Sequence, residues 1–388
     1  MKAERLKSLG ASVFTELDDL RRELEKSGKK LLNLSIGSPD GEPGEEIRRV
    51  LAEAALDGKN YGYTLSRGTA AFREECARWY YQRFGVSLDP ETEVLPLMGS
   101  QDGLAHIFMA LCNPGDKALI PDPGYPIYTA GLLLAGGEKI PMALREENGF
   151  LPVLEEIPPQ DAAQAKFMFL NYPNNPTAAV APLEFFQDVV SFAQKNNILV
   201  FHDAAYSELA FDGYRPVSFL EAKGAKDVGV EFHSLSKTYN LAGIRLGFVV
   251  GNKEVISALS ELKSNIDYGT FGPALIAGAY ALKGSQEVVE KNRQTYQERR
   301  DIWVQGCAEV GWDMPSPRGS MFIWAPVPTQ QDSRSFAYEL AREAGIILVP
   351  GVAFGEYGEG YVRIGLVQEQ DKLKEGVARI QEFLRHKG

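Results

Sequence analysis

The stretch Phe232-His233-Ser234-Leu235-Ser236-Lys237-Thr238-Tyr239-Asn240-Leu241-Ala242-Gly243-Ile244-Arg245-Leu246-Gly247 places two hydroxyls beside a lysine and an arginine a short way beyond it. The apolar runs at its two ends, Val228 to Phe232 and Leu246 to Val250, read as short buried strands. Lys237 therefore falls on a turn between core strands and not on a solvated helix face. An amine held there loses hydration, its neutral form gains, and it becomes a nucleophile able to form an imine. Ser234, Ser236 and Arg245 are the residue types that seat a dianionic phosphate beside it. Against this stands the ordinary behaviour of lysine, which is solvated at the surface. Ser-x-Ser-Lys alone is a short signal, so the rest of the chain has to decide.

Upstream, four apolar runs each end in turn or polar residues. Val94 to Met98 meets Gly99-Ser100-Gln101-Asp102-Gly103 and then a helix to about Leu111. Such a turn offers free backbone amides at Ser100 and Gln101 to an anion, and it is equally an ordinary strand-to-helix connection. Lys117 to Ile120 runs into Pro121-Asp122-Pro123-Gly124-Tyr125-Pro126, which delivers Tyr125 to a strand end. Phe167 to Leu170 leads to Asn171-Tyr172-Pro173-Asn174-Asn175-Pro176-Thr177 and pins Asn175. Ile198 to Phe201 is followed by His202-Asp203-Ala204-Ala205-Tyr206. With helices in the intervals, this alternation predicts an α/β fold. Its large domain has a mostly parallel, doubly wound sheet with a site along the carboxyl edge.

The flanks read differently. Residues 1 to about 30 are charged and helical in period, with Leu6, Leu9, Val13, Phe14, Leu17 and Leu20 as an apolar stripe for packing on a neighbouring element or a partner subunit. Leu31 to Ile36 is a strand before Gly37-Ser38-Pro39-Asp40-Gly41, and Glu45 to Leu56 and Thr69 to Phe84 are helices. Tyr61-Gly62-Tyr63-Thr64 forms a loop between them to which spacing assigns no function. A helical region spans about Gly272 to Val304, and Arg318 to Trp324, Ile346 to Val349 and Tyr361 to Gly365 read as strands. Gly351 to Gly355 reads as a turn, and Gln370 to Arg385 as a closing helix. Strands clustered with a final helix predict a smaller α+β domain. The expected division is 46–284 for the large domain, with 1–45 and 285–388 in the small one.

The 388 residues carry a net charge of −11, which disfavours nucleic acid as a partner. Cys76, Cys112 and Cys307 are far apart and odd in number, as reduced thiols are, and they do not make a zinc site. The four histidines, His106, His202, His233 and His386, include no pair at helical metal-ligand spacing, so no metal is expected. Met1-Lys2-Ala3-Glu4-Arg5 opens no signal-peptide core, and no run reaches the roughly 20 apolar residues of a membrane span. A cytoplasmic protein with no membrane partner is the expectation.

An imine-forming lysine beside a phosphate seat is the chemistry of pyridoxal 5'-phosphate. Asn175-Pro176-Thr177, Asp203-x-x-Tyr206 and Ser234-x-Ser236-Lys237 with Arg245 resemble, in this order and spacing, the fold type I pyridoxal-phosphate enzymes, specifically the class I/II aminotransferases. The resemblance runs from Gly37 to Arg363. It implies Lys237 as the imine-forming amine, Asp203 as partner of a protonated pyridine nitrogen, and Asn175 and Tyr206 as partners of the ring's phenolic oxygen. It implies Ser234, Ser236, Arg245 and the amides at Ser100 and Gln101 as the phosphate seat, with Tyr125 stacked on the ring. It also implies that Arg363 grips the substrate α-carboxylate and that Gly37 lets the substrate approach. A homodimer is implied, with Tyr63 reaching the phosphate across the subunits. Ala178 stands where the family usually has glycine, and the expectation is that the position does not require a positive φ.

Lys263-Ser264-Asn265-Ile266-Asp267-Tyr268-Gly269 and Gly99 to Ala105 are similar to the branch that holds LL-diaminopimelate and alanine aminotransferases. The implied activity is ping-pong transfer of an amino group from LL-diaminopimelate, or a neutral donor such as alanine or methionine, to a 2-oxo acid. Asn265 and Asp267 are candidates to meet a distal ammonium, or they cap a helix, and the capping reading comes first. A carbon–sulfur β-lyase using the same lysine and aspartate is the runner-up, and a non-catalytic cofactor or amino-acid sensor the alternative of another class. No Gly-x-Gly-x-x-Gly follows a strand, which disfavours a nicotinamide dehydrogenase.

Overall fold

The structure is a computed structural model and describes residues 3–7, 9 and 13–385. Met1, Lys2 and His386, which entered the sequence reading, lie outside them. In chain order the first strands are β1 (Leu32–Asn33), β2 (Val94–Leu97), β3 (Lys117–Asp122), β4 (Glu138–Ala143), β5 (Ala165–Asn171), β6 (Leu199–Asp203), β7 (Gly229–Ser234) and β8 (Gly247–Gly251). The last are β9 (Phe322–Pro326), β10 (Ile346–Ile347), β11 (Val349–Pro350) and β12 (Tyr361–Gly365).

One sheet has the order β2-β8-β7-β6-β5-β3-β4. β4, β3, β5, β6 and β7 pair in parallel, and β8 runs against its neighbours β7 and β2. β5 shows why helices must cover both faces. Phe167 and Phe169 pack with Ile120, Phe201 and Phe232 on one side, while Met168 and Leu170 pack with Leu119, Val200 and Phe248 on the other. Side chains alternate along a strand, so an unbroken apolar run is apolar on both faces. Helices Ser100–Leu111 and Lys253–Ile266 close the first side; Ala70–Phe84, Leu183–Asn196 and Gly272–Lys283 close the second. β4, which the sequence reading passed over, is an edge strand with only Ile140 and Met142 buried, so Glu138, Lys139 and Pro141 interrupt any apolar run.

β11, β12 and β9 form an antiparallel sheet, and β1 pairs with β10 in parallel. Trp303, Phe336 and Ile380, from helices Glu287–Glu309, Ser333–Ala344 and Gln370–Arg385, build the core around them. Leu17, Leu20 and Leu24 of helix Val13–Lys26 pack against Trp324, Ile347 and Phe354, so the N-terminal arm is seated on its own chain. The Gly365 N–H donates to the Leu34 carbonyl at 2.7 Å, which holds the Ser35–Gly37 segment beside β12.

Several expected elements are shorter than their apolar runs. The stretch from Arg318 becomes a strand only at Phe322, because Gly319 bridges Ala210 and Ser320 has φ +73°. The Ile346 to Val349 run divides between two sheets, and the long helical region breaks at Gly284. Gly351–Phe354 is a 3-10 turn. The expectation for Ala178 is corrected: its φ is +57°. The Ala178 N–H donates to Asn174 O at 3.1 Å and the Asn174 N–H to Ala179 O at 2.9 Å. The turn is closed at both ends, and that closure holds the residue in the left-handed region at a cost of about 1–2 kcal/mol.

Behind the carboxyl edge of the large sheet lies a polar clamp. His202 precedes Asp203 on β6 and His233 precedes Ser234 on β7, so each histidine faces away from the residue it precedes. Glu231, fully buried, accepts from His202 Nδ1 at 2.7 Å, His233 Nε2 at 2.8 Å, Tyr80 OH at 2.6 Å and the Phe219 N–H at 2.8 Å. His202 Nε2 accepts the Tyr172 N–H at 3.2 Å, which places the imidazole proton on Nδ1. Burial pushes the Glu231 carboxyl up, but the bonds from His202 and His233 outweigh it and hold the group well below the usual carboxylate range. A depressed carboxyl adds stability above its unfolded pKa and loses it as the pH falls. Glu231→Ala, which strands several buried donors, is expected to cost about 3 kcal/mol in urea unfolding at neutral pH. Between pH 5 and pH 3 the wild type should lose stability more steeply than Glu231→Gln; parallel profiles would refute the clamp.

Candidate active site

A cavity of about 550 Å³ opens where the strands of the large sheet end. Ser100 and Gln101, in the first turn of helix Ser100–Leu111, and Tyr125, after β3, form one wall. Asp203 and Ser234 end β6 and β7, while Asn175, Tyr206, Ser236 and Lys237 lie just beyond β5, β6 and β7. Arg245 precedes β8, and Gly37 and Arg363 close the cavity from the side of the smaller sheet. Twelve of the thirteen candidate residues thus meet in one space. Tyr63 is the exception, since it is 95% exposed and its ring lies 5.9 Å from that of Tyr268 along a different surface cavity.

Lys237 sits in the short helix Leu235–Thr238, whose N-cap Ser234 accepts the Ser236 N–H at 3.3 Å. Its Nζ donates to the Gly37 carbonyl at 2.6 Å. Burial, and then the charges of Arg363 and Arg245, bring the amine down to about 8. Asp203 is 4% exposed and receives one bond from Tyr128 OH at 2.8 Å and one from the Ala205 N–H at 3.1 Å. Among the described residues no lysine or arginine bonds it, and burial pushes its carboxyl up.

Arg363 is the reverse case. It is 3% exposed, with Nη1 on Asn175 Oδ1 at 2.8 Å and Nη2 on the Ser35 carbonyl at 2.9 Å. Its Nε has no hydrogen-bond partner, and its guanidinium carbon lies 4.2 Å from the centre of the Phe322 ring. Burial lowers it to about 10. A Cβ on Gly37 would stand 3.4 Å from Phe322 and 3.9 Å from Arg363 Nη2, so glycine keeps the approach to that guanidinium open. Tyr206 is buried, its phenol well above its usual range, and packs edge-on to Phe322 at 5.7 Å. Tyr125 OH donates to Gln101 Oε1 at 3.2 Å, and burial, then the Asp203 charge, raise the phenol.

The amides opening helix Ser100–Leu111 face the same space as Ser234, Ser236 and Arg245, and an anion suits such a terminus. Gly99, at φ +78°, leaves the room beside this turn that the Arg245 guanidinium fills. The site therefore combines an amine near neutrality, a buried carboxylate without a cation, a buried cation without an anion, and an anion seat.

Two positioning residues escaped the sequence reading. Asn171 donates to the Asp203 carbonyl at 2.7 Å and accepts the Asn175 N–H at 2.7 Å, tying two strand ends together. Its place in the Asn171–Thr177 turn cluster was the available signal. Tyr128 lies inside the apolar helix Pro126–Leu134, where nothing distinguishes it from core. Asn265 bonds back to Glu261 O at 2.9 Å and Asp267 accepts from Lys263 Nζ at 2.9 Å; neither lines the cavity.

The family model described as aminotransferase class I and II matches residues 29–380. An LL-diaminopimelate aminotransferase of Syntrophobacter fumaroxidans is 47% identical over 383 residues, covering 99% of each chain. One of Moorella thermoacetica is 47% identical over 384 residues, covering 99% of this chain and 98% of the relative. A substrate-bound BacF structure from Bacillus subtilis superposes with a TM-score of 0.95 at 39% identity, over 99% of this chain and 98% of the other. A probable N-succinyldiaminopimelate aminotransferase from Thermus thermophilus does so with a TM-score of 0.90 at 40% identity, over 96% and 100%. With the family match spanning most of the chain and the strand-end constellation in place, this protein belongs to the class I and II aminotransferases.

Proposed function

We propose that this aminotransferase uses pyridoxal 5'-phosphate to move the amino group of LL-diaminopimelate to a 2-oxo acid by a ping-pong mechanism, with alanine or methionine as the neutral donors to test beside it. The observation that carries the reading is the pairing of Lys237, lowered to about 8, with Arg363, buried and lacking a partner on Nε, in one cavity. LL-diaminopimelate comes first because the curated relatives at 43–47% identity bear that name.

The residues present fit the cofactor. Asp203, buried without a cation, suits a protonated pyridine nitrogen, and Ser234, Ser236, Arg245 and the Ser100 and Gln101 amides suit its phosphate. Bound there, the cofactor supplies an electron sink for the substrate's α-carbon. Tyr125 would stack on the ring, and Asn175 and Tyr206 would hydrogen-bond its phenolic oxygen. Arg363 holds the α-carboxylate as a planar fork, and Gly37 leaves room for it. That orientation would bring the α-hydrogen toward Lys237 Nζ, which would take the proton from the α-carbon and hold it for delivery away from that carbon, as net amino-group transfer requires. Tyr63 of the partner subunit would complete the phosphate seat in a homodimer, a reading supported by its exposure and by its place along a different cavity of its own chain.

We place the domain divisions at 45/46 and 284/285, with the cavity between the two parts. Among the described residues no helix is long and apolar enough to cross a membrane, and the three cysteines are free, which supports a cytoplasmic setting.

Borohydride reduction of the cofactor-loaded protein is expected to leave the cofactor's mass on Lys237, and Lys237→Ala to abolish transamination; ordinary rates in that variant would sink the assignment. Covalent capture of pyridoxal phosphate by the cofactor-free chain should speed up as the pH rises through about 8, where the neutral amine becomes the major form. Arg363→Lys, which loses the fork, should raise KM for the amino donor roughly tenfold with a smaller change in kcat. Unchanged kinetics would reject the carboxylate role.

A further inference from the structure

Asp102 follows the two residues that present the anion-seating amides, yet its side chain does not line the cavity. Its Oδ2 accepts the Met98 N–H at 2.9 Å and the Lys263 ammonium at 2.5 Å. Lys263, 1% exposed near the end of helix Lys253–Ile266, also donates to Asp267 at 2.9 Å and 3.1 Å. His106, one turn further along helix Ser100–Leu111, has Nδ1 2.8 Å from Asp102 Oδ1 and 3.8 Å from Asp267 Oδ2. Asp102, His106 and Asp267 are residue types that ligate a cation, but the Lys263 ammonium already contacts both carboxylates. The cluster is an ion network and not a metal centre.

Its placement raises an electrostatic problem. A carboxylate in the first turn suits the helix itself, but it repels an anion seated on the same terminus. Asp102 also has a geometric role, because its bond to the Met98 N–H fixes the Met98–Ser100 turn from behind, while the Arg245 guanidinium packs over Gly99 from the front. The buried ammonium of Lys263 resolves the conflict. It pairs with the Asp102 carboxylate and offsets its charge while leaving the Met98 hydrogen bond in place, and His106 faces both carboxylates from the same helix as Asp102.

We propose that Lys263 is a positioning residue for phosphate binding, one that neutralises Asp102 so that this carboxylate shapes the turn presenting the Ser100 and Gln101 amides without repelling the anion on them. This inference rests on the pyridoxal phosphate reading given above. Affinities of the cofactor-free protein for pyridoxal phosphate, and for pyridoxal, which lacks the phosphate, test it by titrated absorbance. Lys263→Met is expected to weaken pyridoxal phosphate roughly tenfold or more and pyridoxal less than about threefold, because only the phosphate feels the uncovered charge. The double variant D102N/K263M should recover the phosphate-bearing ligand to within about threefold of wild type.

Equal losses for the two ligands, no loss, or a double variant no better than K263M would overturn the proposal. Should K263M not fold, D102N decides: asparagine keeps an acceptor for the Met98 N–H, so pyridoxal phosphate must bind at least as tightly as to wild type, and a tenfold loss would refute the account. A wild-type chain that binds neither ligand would instead overturn the cofactor reading itself.

Discussion

Taking an ionised group out of water without a counter-ion costs several kcal/mol, and this chain does so twice in one cavity. Arg363 is fully enclosed with only an amide oxygen and a backbone carbonyl for acceptors, and Asp203 is enclosed with a phenol and an amide for donors. The two do not bond each other. A ligand that brings a carboxylate to one and a cation to the other repays both costs, and an amino acid joined to a protonated pyridine ring is such a ligand. The same enclosure, with the charges of Arg363 and Arg245, lowers Lys237 to about 8, so burial acts on the amine as well as on the two charged groups of the cavity.

Holding those charges requires a rigid support, and the strand ends supply it. Asn171 links β5 to β6, while Glu231 with its two histidines locks β6 to β7 from the opposite face. The large sheet thus has an apolar interior and a polar rim whose hydrogen bonds are mostly answered inside the protein. Residue types with spare bonding capacity face the cavity. The second sheet delivers Arg363 across this rim, and the Leu34–Gly365 bond keeps Gly37 in step with it.

How much of this was legible in the sequence follows from how local each signal is. Strands buried on both faces write themselves as unbroken apolar runs, and the polar residue that follows such a run lies at the carboxyl edge by construction. The places of Asn175, Asp203 and Lys237 at that edge were therefore readable, while only the set of them together pointed to a site. β4 was not, because an edge strand keeps solvent on one side and needs no such run. Glu231 and Lys263 were hidden for a different reason: a charged residue in a strand or helix looks solvated until its partners from distant segments are known. Tyr128 was hidden because an aromatic in an apolar helix looks like core. Ala178 went the other way, since the turn around Asn174 imposes a backbone conformation that its residue type disfavours.

The most direct test of the central claim is a single half-reaction: the protein loaded with pyridoxal phosphate is mixed with LL-diaminopimelate and no 2-oxo acid, and absorbance and released products are followed together. The account predicts that the cofactor colour bleaches once, with one equivalent of the donor's 2-oxo acid per site and no ammonia, and that an added 2-oxo acid restores it. Colour that persists while ammonia accumulates would contradict amino-group transfer and favour the lyase. A chain that takes up no cofactor would contradict the reading of the site.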